Sequence, residues 1–238
     1  MKIDLTGRPL LIDLFCGAGG ASMGYHRAGF DVIGIDINPM PRYPFPLAQY
    51  DAIQFLDEAI DSELFDRLRV AALHASPPCQ RYSSISRCRP GLSEEYPDLI
   101  GPTRERLQAL GLPYVIENVE GARSELRDPV MLCGQMLGLE LYRHRLFEAG
   151  FLLPQPEHPV HVVPGSKAGH WTPGHIISVS GHVAPIAEAR KAMGIDWMNR
   201  EELSESIPPV YAEYVGRHLM NYLRTTRTAR PGVGLAAL

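Results

Sequence analysis

Cysteine is scarce in this chain: four residues among 238, at positions 16, 79, 88 and 133. None forms a Cys-x-x-Cys pair, which excludes the common zinc and redox spacings and suits a reducing compartment. The chain also lacks an apolar run of the roughly 18 residues that a membrane span needs. Asp4 and Arg8 break the stretch that a secretory signal would keep apolar, so a cytoplasmic protein is expected. Positive charge is not in excess. With 23 Lys and Arg against 27 Asp and Glu, the formal charge is −4, and any binding of nucleic acid must come from a local basic surface. Internal repeats are lacking. His158, His161, His170, His175 and His182 show no recognisable metal-ligand spacing, so no metal is expected.

What remains is globular. Hydrophobic residues make up 45% and charged residues 21%, and the length suits one α/β domain with at most a small appendage. Residues 10–15 form an apolar run that ends in Cys16-Gly17-Ala18-Gly19-Gly20; Met23, His26, Arg27 and Phe30 then follow at near-helical spacing. This reads as strand, glycine turn and helix. A second strand over 32–35 delivers Asp36, and 36 − 17 = 19 residues separate that acid from the first turn glycine. One βαβ unit brings the ends of adjacent parallel strands together, which puts such an acid where it can accept from two ribose hydroxyls. The glycines do not form a clean Gly-x-Gly-x-x-Gly, which disfavours NAD. Residues 39–46 are proline-rich and form a loop, ahead of a helix near 58–69. Asp51 has two readings of equal weight, a contact to an adenine amino group or a helix N-cap.

The apolar run 70–75 leads into Ser76-Pro77-Pro78-Cys79-Gln80. Two prolines fix φ and carry the backbone out of a sheet, leaving Cys79 at its rim. Buried cysteines are commoner, but here the flanks favour exposed chemistry, with Arg81, Arg87 and Arg89 following in a loop that suits phosphate contact. A helix over 103–110 ends at Gly111, and the strand 113–116 delivers Glu117 to the same edge as Cys79. Residues 130–132 and 146–151 read as further strands flanking Arg143 and Arg145. Alternation puts those two guanidiniums on one face, to serve a base carbonyl or phosphate, or to pair with Glu117 and Glu148. A last helix is expected over 210–223.

Asp13-Leu14-Phe15-Cys16-Gly17-Ala18-Gly19-Gly20, Pro78-Cys79-Gln80, Glu117-Asn118-Val119, Arg143-His144-Arg145 and Ile207-Pro208-Pro209 stand in the order of the motifs of cytosine-C5 DNA methyltransferases. The sequence resembles that family over about residues 10–223. The resemblance implies a Rossmann-like S-adenosylmethionine-dependent methyltransferase fold: α/β, with a mostly parallel seven-stranded sheet, helices on both faces and an antiparallel strand near one edge. It implies that Phe15, Gly17, Gly19, Asp36, Ile37, Asp51, Ala52, Pro78 and Leu99 form the pocket for S-adenosylmethionine. By the same resemblance Cys79 is the nucleophile, Glu117 holds cytosine N3 and its amino group, and Arg145 meets O2, with Arg143 in support. Double-stranded DNA is the implied partner, with no membrane and no obligate protein partner. RNA or free-nucleotide methylation is the alternative, and a non-catalytic nucleic-acid-binding module a more distant one. Residues 1–150 and 187–223 would form the catalytic domain, 151–186 a short target-recognition segment, and 224–238 a flexible tail. Leu141 replaces a usual glutamine and Ser204-Glu205 a usual Gly-Asn. So short a recognition segment can read about two to four base pairs, as in compact phage-like members of prokaryotic or phage-infected cells.

Overall fold

The computed structural model describes residues 7–82, 96–183 and 185–228. Strand β1, Leu10–Leu14, is buried at every position, and its side chains divide by parity. Leu10, Ile12 and Leu14 enter one core and Leu11 the other. A strand covered on both faces has no polar face, which is why its hydrophobic run does not alternate. β2 (Asp31–Asp36) and β4 (Val70–Ala75) flank it, both parallel to it. With β3 (Leu47–Gln49), β5 (Tyr114–Asn118), β6 (Val130–Leu132) and β7 (Arg145–Ala149), they form a seven-stranded sheet. Its order is β3-β2-β1-β4-β5-β7-β6, and β7 runs antiparallel to both its neighbours. The expected α/β sheet, mostly parallel with one reversed strand near an edge, is therefore present.

Helices α2 (Ala52–Ile60), α3 (Leu64–Leu68) and α4 (Ile100–Ala109) cover one face of the sheet. On the other face lie α1 (Gly20–Arg27) and α7 (Pro209–Thr228). A third, smaller core joins Leu141, Ile177, Val179 and Val183 to α5 (Ile186–Met193) and α6 (Arg200–Glu205). Arg104 of α4 reaches the sheet through two bonds of 2.7 Å to the buried carboxylate of Glu148 on β7. That carboxylate also accepts from the backbone N–H of Arg127 and the hydroxyl of Tyr114.

Helices α1 and α7 cross at glycines. A Cβ at Gly24 would land on the Pro209 carbonyl and 2.6 Å from the Glu213 nitrogen, and one at Gly216 would lie 2.7 Å from Ala28 Cβ. Backbone cannot yield as a flexible side chain does. Gly24→Ala is accordingly expected to cost about 3 kcal/mol, and at 2–4 °C per kcal/mol for a chain of this size the thermal midpoint falls by roughly 10 °C. Differential scanning calorimetry checks this.

Several elements differ from the sequence reading. α2 begins at Ala52 rather than near 58, because the Asp51 side chain accepts from the Gln54 N–H at 2.9 Å and so caps it. The three-residue β3 follows the proline loop unannounced. α7 runs on to Thr228, so 224–228 continue the helix where a tail was expected; residues 229–238 lie outside the described residues. Arg143 stands before β7 rather than within a strand, so alternation does not relate it to Arg145.

Candidate active site

The loops after β1, β2, β4 and β5 gather at the carboxyl edge of the sheet, around the switch between β1 and β4 where the strand order reverses. A cavity of about 370 Å³ opens there. It runs from Asp36, Ile37 and Asp51 at one end to Cys79, Glu117 and Arg145 at the other.

At the first end, Phe15, Gly17 and Gly19 have φ of 56°, 50° and 87°. For Phe15 the left-handed backbone costs on the order of 1–2 kcal/mol, a strain typical of ligand turns. The turn carries the Gly17 N–H to Asp36 Oδ2 at 2.9 Å, while the Asn38 N–H donates to Oδ1 at 2.9 Å. Each oxygen keeps a lone pair for a ligand hydroxyl. Ile37 presents an apolar side chain at the cavity wall, 61% exposed. Asp51 is an N-cap, and it also lines the cavity. Phe15, Ala52, Pro78 and Leu99 are lining residues too. Gly19 is not; it shapes the turn, and a Cβ there would press on Pro44 at 2.9 Å.

At the other end, Asn118 fixes the loop that bears Cys79. Its Nδ2 donates to the Pro77 carbonyl at 2.9 Å, and its Oδ1 accepts from the Val119 N–H at 2.9 Å. Glu117, on the neighbouring position of β5, is buried. Because β7 is antiparallel, its first residue, Arg145, falls at this same edge, with Nε 3.2 Å from Glu117 Oε1. That oxygen makes no hydrogen bond among the described residues. Burial raises the Glu117 pKa, against the pull of Arg145, a hydrogen bond from Ser76 and Arg143. The Cys79 thiol is raised by burial and then by Glu117, while Arg145 and Arg143 lower it.

The signs give a test. Glu117→Gln removes a group that raises the thiol pKa, so the pH midpoint for alkylation of Cys79 should move down; Arg145→Gln removes a group that lowers it, so the midpoint should move up. Iodoacetamide labelling of the Cys79 peptide, followed by mass spectrometry across pH, reads both shifts.

Arg143 does not line the cavity. Its Nη2 donates to the Ser204 carbonyl at 2.6 Å and its Nη1 to the Val179 carbonyl, and Tyr211 OH donates to its own carbonyl at 2.5 Å. Burial, then the neighbouring Arg145, lower its pKa to about 9. Those bonds tie the chain just before β7 to residues 179 and 204. Arg81 lies in the short turn Gln80–Tyr82 beside Cys79 and donates to the Tyr96 carbonyl at 3.1 Å. Arg87 and Arg89 lie outside the described residues.

Some lining residues were not among the expected site residues. Asp13, buried on β1, takes a hydrogen bond from Ser22, and burial raises its pKa to about 7. Glu205, Ser206 and Ile207 reach the cavity from the corner between α6 and α7, where the expected Gly-Asn is missing. Below Glu117 runs a buried polar chain: Tyr25 OH meets His74 Nδ1 at 2.9 Å, and His74 Nε2 meets Ser76 Oγ at 2.9 Å. Burial lowers the His74 pKa to about 3, so the imidazole is neutral.

Fold and cavity place the chain first in a class, the Rossmann-like α/β proteins with a ligand cavity at the carboxyl edge of the sheet. A prophage-encoded protein of E. coli, assigned as a DNA modification methyltransferase, superposes with a TM-score of 0.62 at 18% identity, over 91% of this chain and 99% of that one. The methyltransferase EhMeth of Entamoeba histolytica does so with a TM-score of 0.55 at 14% identity, over 92% and 99%. Sequence narrows the class. Residues 10–127 match the model of the C-5 cytosine-specific DNA methylases. Type II methyltransferase M.HgiGI of Herpetosiphon aurantiacus is 32% identical over 120 residues, which are 47% of this chain and 91% of that protein. Type II methyltransferase M.AquIA of Picosynechococcus is 27% identical over 183 residues, covering 67% and 72%. The chain belongs to the C-5 cytosine-specific DNA methylase family.

Proposed function

We propose that this protein transfers a methyl group from S-adenosylmethionine to C5 of cytosine in double-stranded DNA at a short recognition sequence, with Cys79 as nucleophile. The observation that carries the reading is the single cavity joining the Asp36 turn to a thiol flanked by Glu117 and Arg145. S-adenosylmethionine, when bound, supplies an electrophilic methyl. Asp36 accepts from the ribose hydroxyls, Ile37 packs on adenine, and Asp51 takes the adenine amino group. The turn of Phe15, Gly17 and Gly19, with Pro78 and Leu99, encloses the rest.

Cytosine C5 is a poor nucleophile until C6 is attacked. Cys79 adds to C6 as the thiolate. Glu117 shares a proton onto N3 and accepts from the exocyclic amino group, a role suited by its raised pKa and by an Oε1 that makes no hydrogen bond among the described residues. Arg145 donates to O2. The electron pair gathered at C5 would take the methyl with S-adenosylhomocysteine as the leaving group, a base would remove the C5 proton, the C6–S bond would break to return the thiolate, and Glu117 would take back the N3 proton. Since C6 is hidden in a stacked duplex, the target base must leave the helix to reach Cys79. Arg81, Arg87 and Arg89 follow Cys79 in the chain and serve the DNA phosphates, and 151–186 reads the flanking base pairs.

Incubation with methyl-labelled S-adenosylmethionine and, in parallel, duplex DNA, RNA and dCTP should put label into DNA as 5-methylcytosine. Label confined to RNA or nucleotide would move the substrate, and no transfer to any of them would overturn the reading. Asp36→Ala should weaken binding of S-adenosylhomocysteine about a hundredfold, the loss of two hydrogen bonds to a charged acceptor. Isothermal titration calorimetry measures it.

A further inference from the structure

Away from the cavity, Cys133, His144, His158 and His161 bring one ligand atom each within 4.8 Å of one another. We propose that these four side chains form a closed, tetrahedral site for Zn²⁺ that fastens residues 151–164 to the edge of the sheet. The sequence reading expected no metal, because the ligands come from three separate pieces of chain. The register of the sheet explains the first two. Leu132 pairs with Arg145 across β6 and β7, so Cys133 and His144, one step beyond each, meet at the strand ends. His158 and His161 then come over from the segment that leaves β7.

The geometry is that of ligands. His144 Nε2 and His158 Nε2 are 3.0 Å apart, and Cys133 Sγ and His161 Nε2 are 3.3 Å apart. Tetrahedral zinc has edges of about 3.3 Å between nitrogens and about 3.5 Å between nitrogen and sulfur, from bonds of about 2.0 and 2.3 Å. The surroundings are those of a metal site as well. Glu120 Oε2 lies 3.4 Å from His144 Nδ1, a carboxylate behind a histidine that leaves Nε2 free to bind. In the turn that follows Cys133, the Met136 N–H faces the Cys133 side chain. Tyr142 stacks on the His161 ring with centroids 3.8 Å apart, holding its plane.

The donor set selects the ion. One thiolate and three imidazoles suit zinc and exclude the oxygen-seeking Mg²⁺ and Ca²⁺. Four protein ligands leave no open position, so the role is structural. The need for it is visible in the fold. Residues 152–164 contain no helix or strand and expose Leu152, Val160 and Val162 at 88%, 81% and 79%. So little burial cannot by itself offset the entropy of ordering such a stretch.

The full chain, purified without a histidine tag, should contain about one zinc per molecule by plasma mass spectrometry. Replacement by Co²⁺ should give the intense visible bands of a tetrahedral site and a near-ultraviolet thiolate-to-metal band. Cys133→Ala should remove the latter, and Glu120→Gln, which touches no metal ligand atom, should weaken binding about tenfold. Circular dichroism of each variant separates loss of the site from loss of fold. Zinc well below stoichiometry after incubation with Zn²⁺, or a weak octahedral Co²⁺ spectrum indifferent to Cys133→Ala, would overturn the proposal. Neither readout involves methyl transfer, so the result stands apart from that of the catalytic reading.

Discussion

Cys79→Ser should lower the rate of methyl transfer to duplex DNA about ten-thousand-fold or more, while S-adenosylhomocysteine still binds and the thermal midpoint stays within a degree or two of wild type. The size follows from the chemistry: a serine hydroxyl is almost entirely protonated at neutral pH and adds poorly to a ring carbon, whereas a thiol supplies some thiolate. Stability should hold because Cys79 sits in a loop fixed by Asn118 and the prolines rather than by its own side chain. Single-turnover transfer of labelled methyl, with calorimetry on the same preparation, measures both. Retained transfer in the serine variant would remove Cys79 from the reaction.

The largest effect on stability is expected at the pair Arg104–Glu148. Both side chains are buried, at 8% and 2% exposure, and Arg104 also donates to the Glu125 carbonyl at 2.5 Å. Arg104→Met leaves the Glu148 charge inside the protein with only the Arg127 N–H and Tyr114 hydroxyl to hold it. Removing one partner of a buried pair costs about 3–5 kcal/mol, and a chain of this kind has on the order of 10 kcal/mol to lose. The double variant Arg104→Met/Glu148→Leu should recover most of that loss, since the desolvated charge goes with its partner. Urea denaturation of Arg104→Met, Glu148→Leu and the double variant reads the cycle; equal losses in Arg104→Met and the double variant would show that packing, not charge, is at stake.

Much of the site could be read in the sequence because it sits where strands end. Asp36 was placed by its 19-residue distance from Gly17, and the two are joined by a 2.9 Å hydrogen bond. Glu117 and Cys79 were placed at one rim by the rule for parallel strands, and they line one cavity. Each of those inferences needs only local pattern and handedness. Arg143 shows where such reasoning stops. Its partners, the carbonyls of Val179 and Ser204, are 36 and 61 residues away and are backbone atoms, which leave no mark on residue type. The same holds for the chain from Tyr25 through His74 to Ser76, and for Cys133 beside His161. Helix α2 was expected near 58 and not at Ala52, because an N-cap and a ligand contact call for the same carboxylate at Asp51; the structure uses it for the cap while leaving it at the cavity.

The way residues 164–176 are closed bears on how such a chain can diversify. The Ile176 N–H donates to the Pro164 carbonyl at 2.9 Å and the Ser166 N–H to the Ile176 carbonyl at 2.7 Å, so the excursion between them leaves and returns at one point. Tyr142 secures one side through Val163, and Arg143 secures the other through Val179. Lengthening a loop whose ends already meet costs only about 0.6 kcal/mol for each doubling. Insertions or exchanges within 167–175 therefore leave the catalytic end undisturbed, and a lineage can try new surface there by small genetic steps without first rebuilding the domain that holds it.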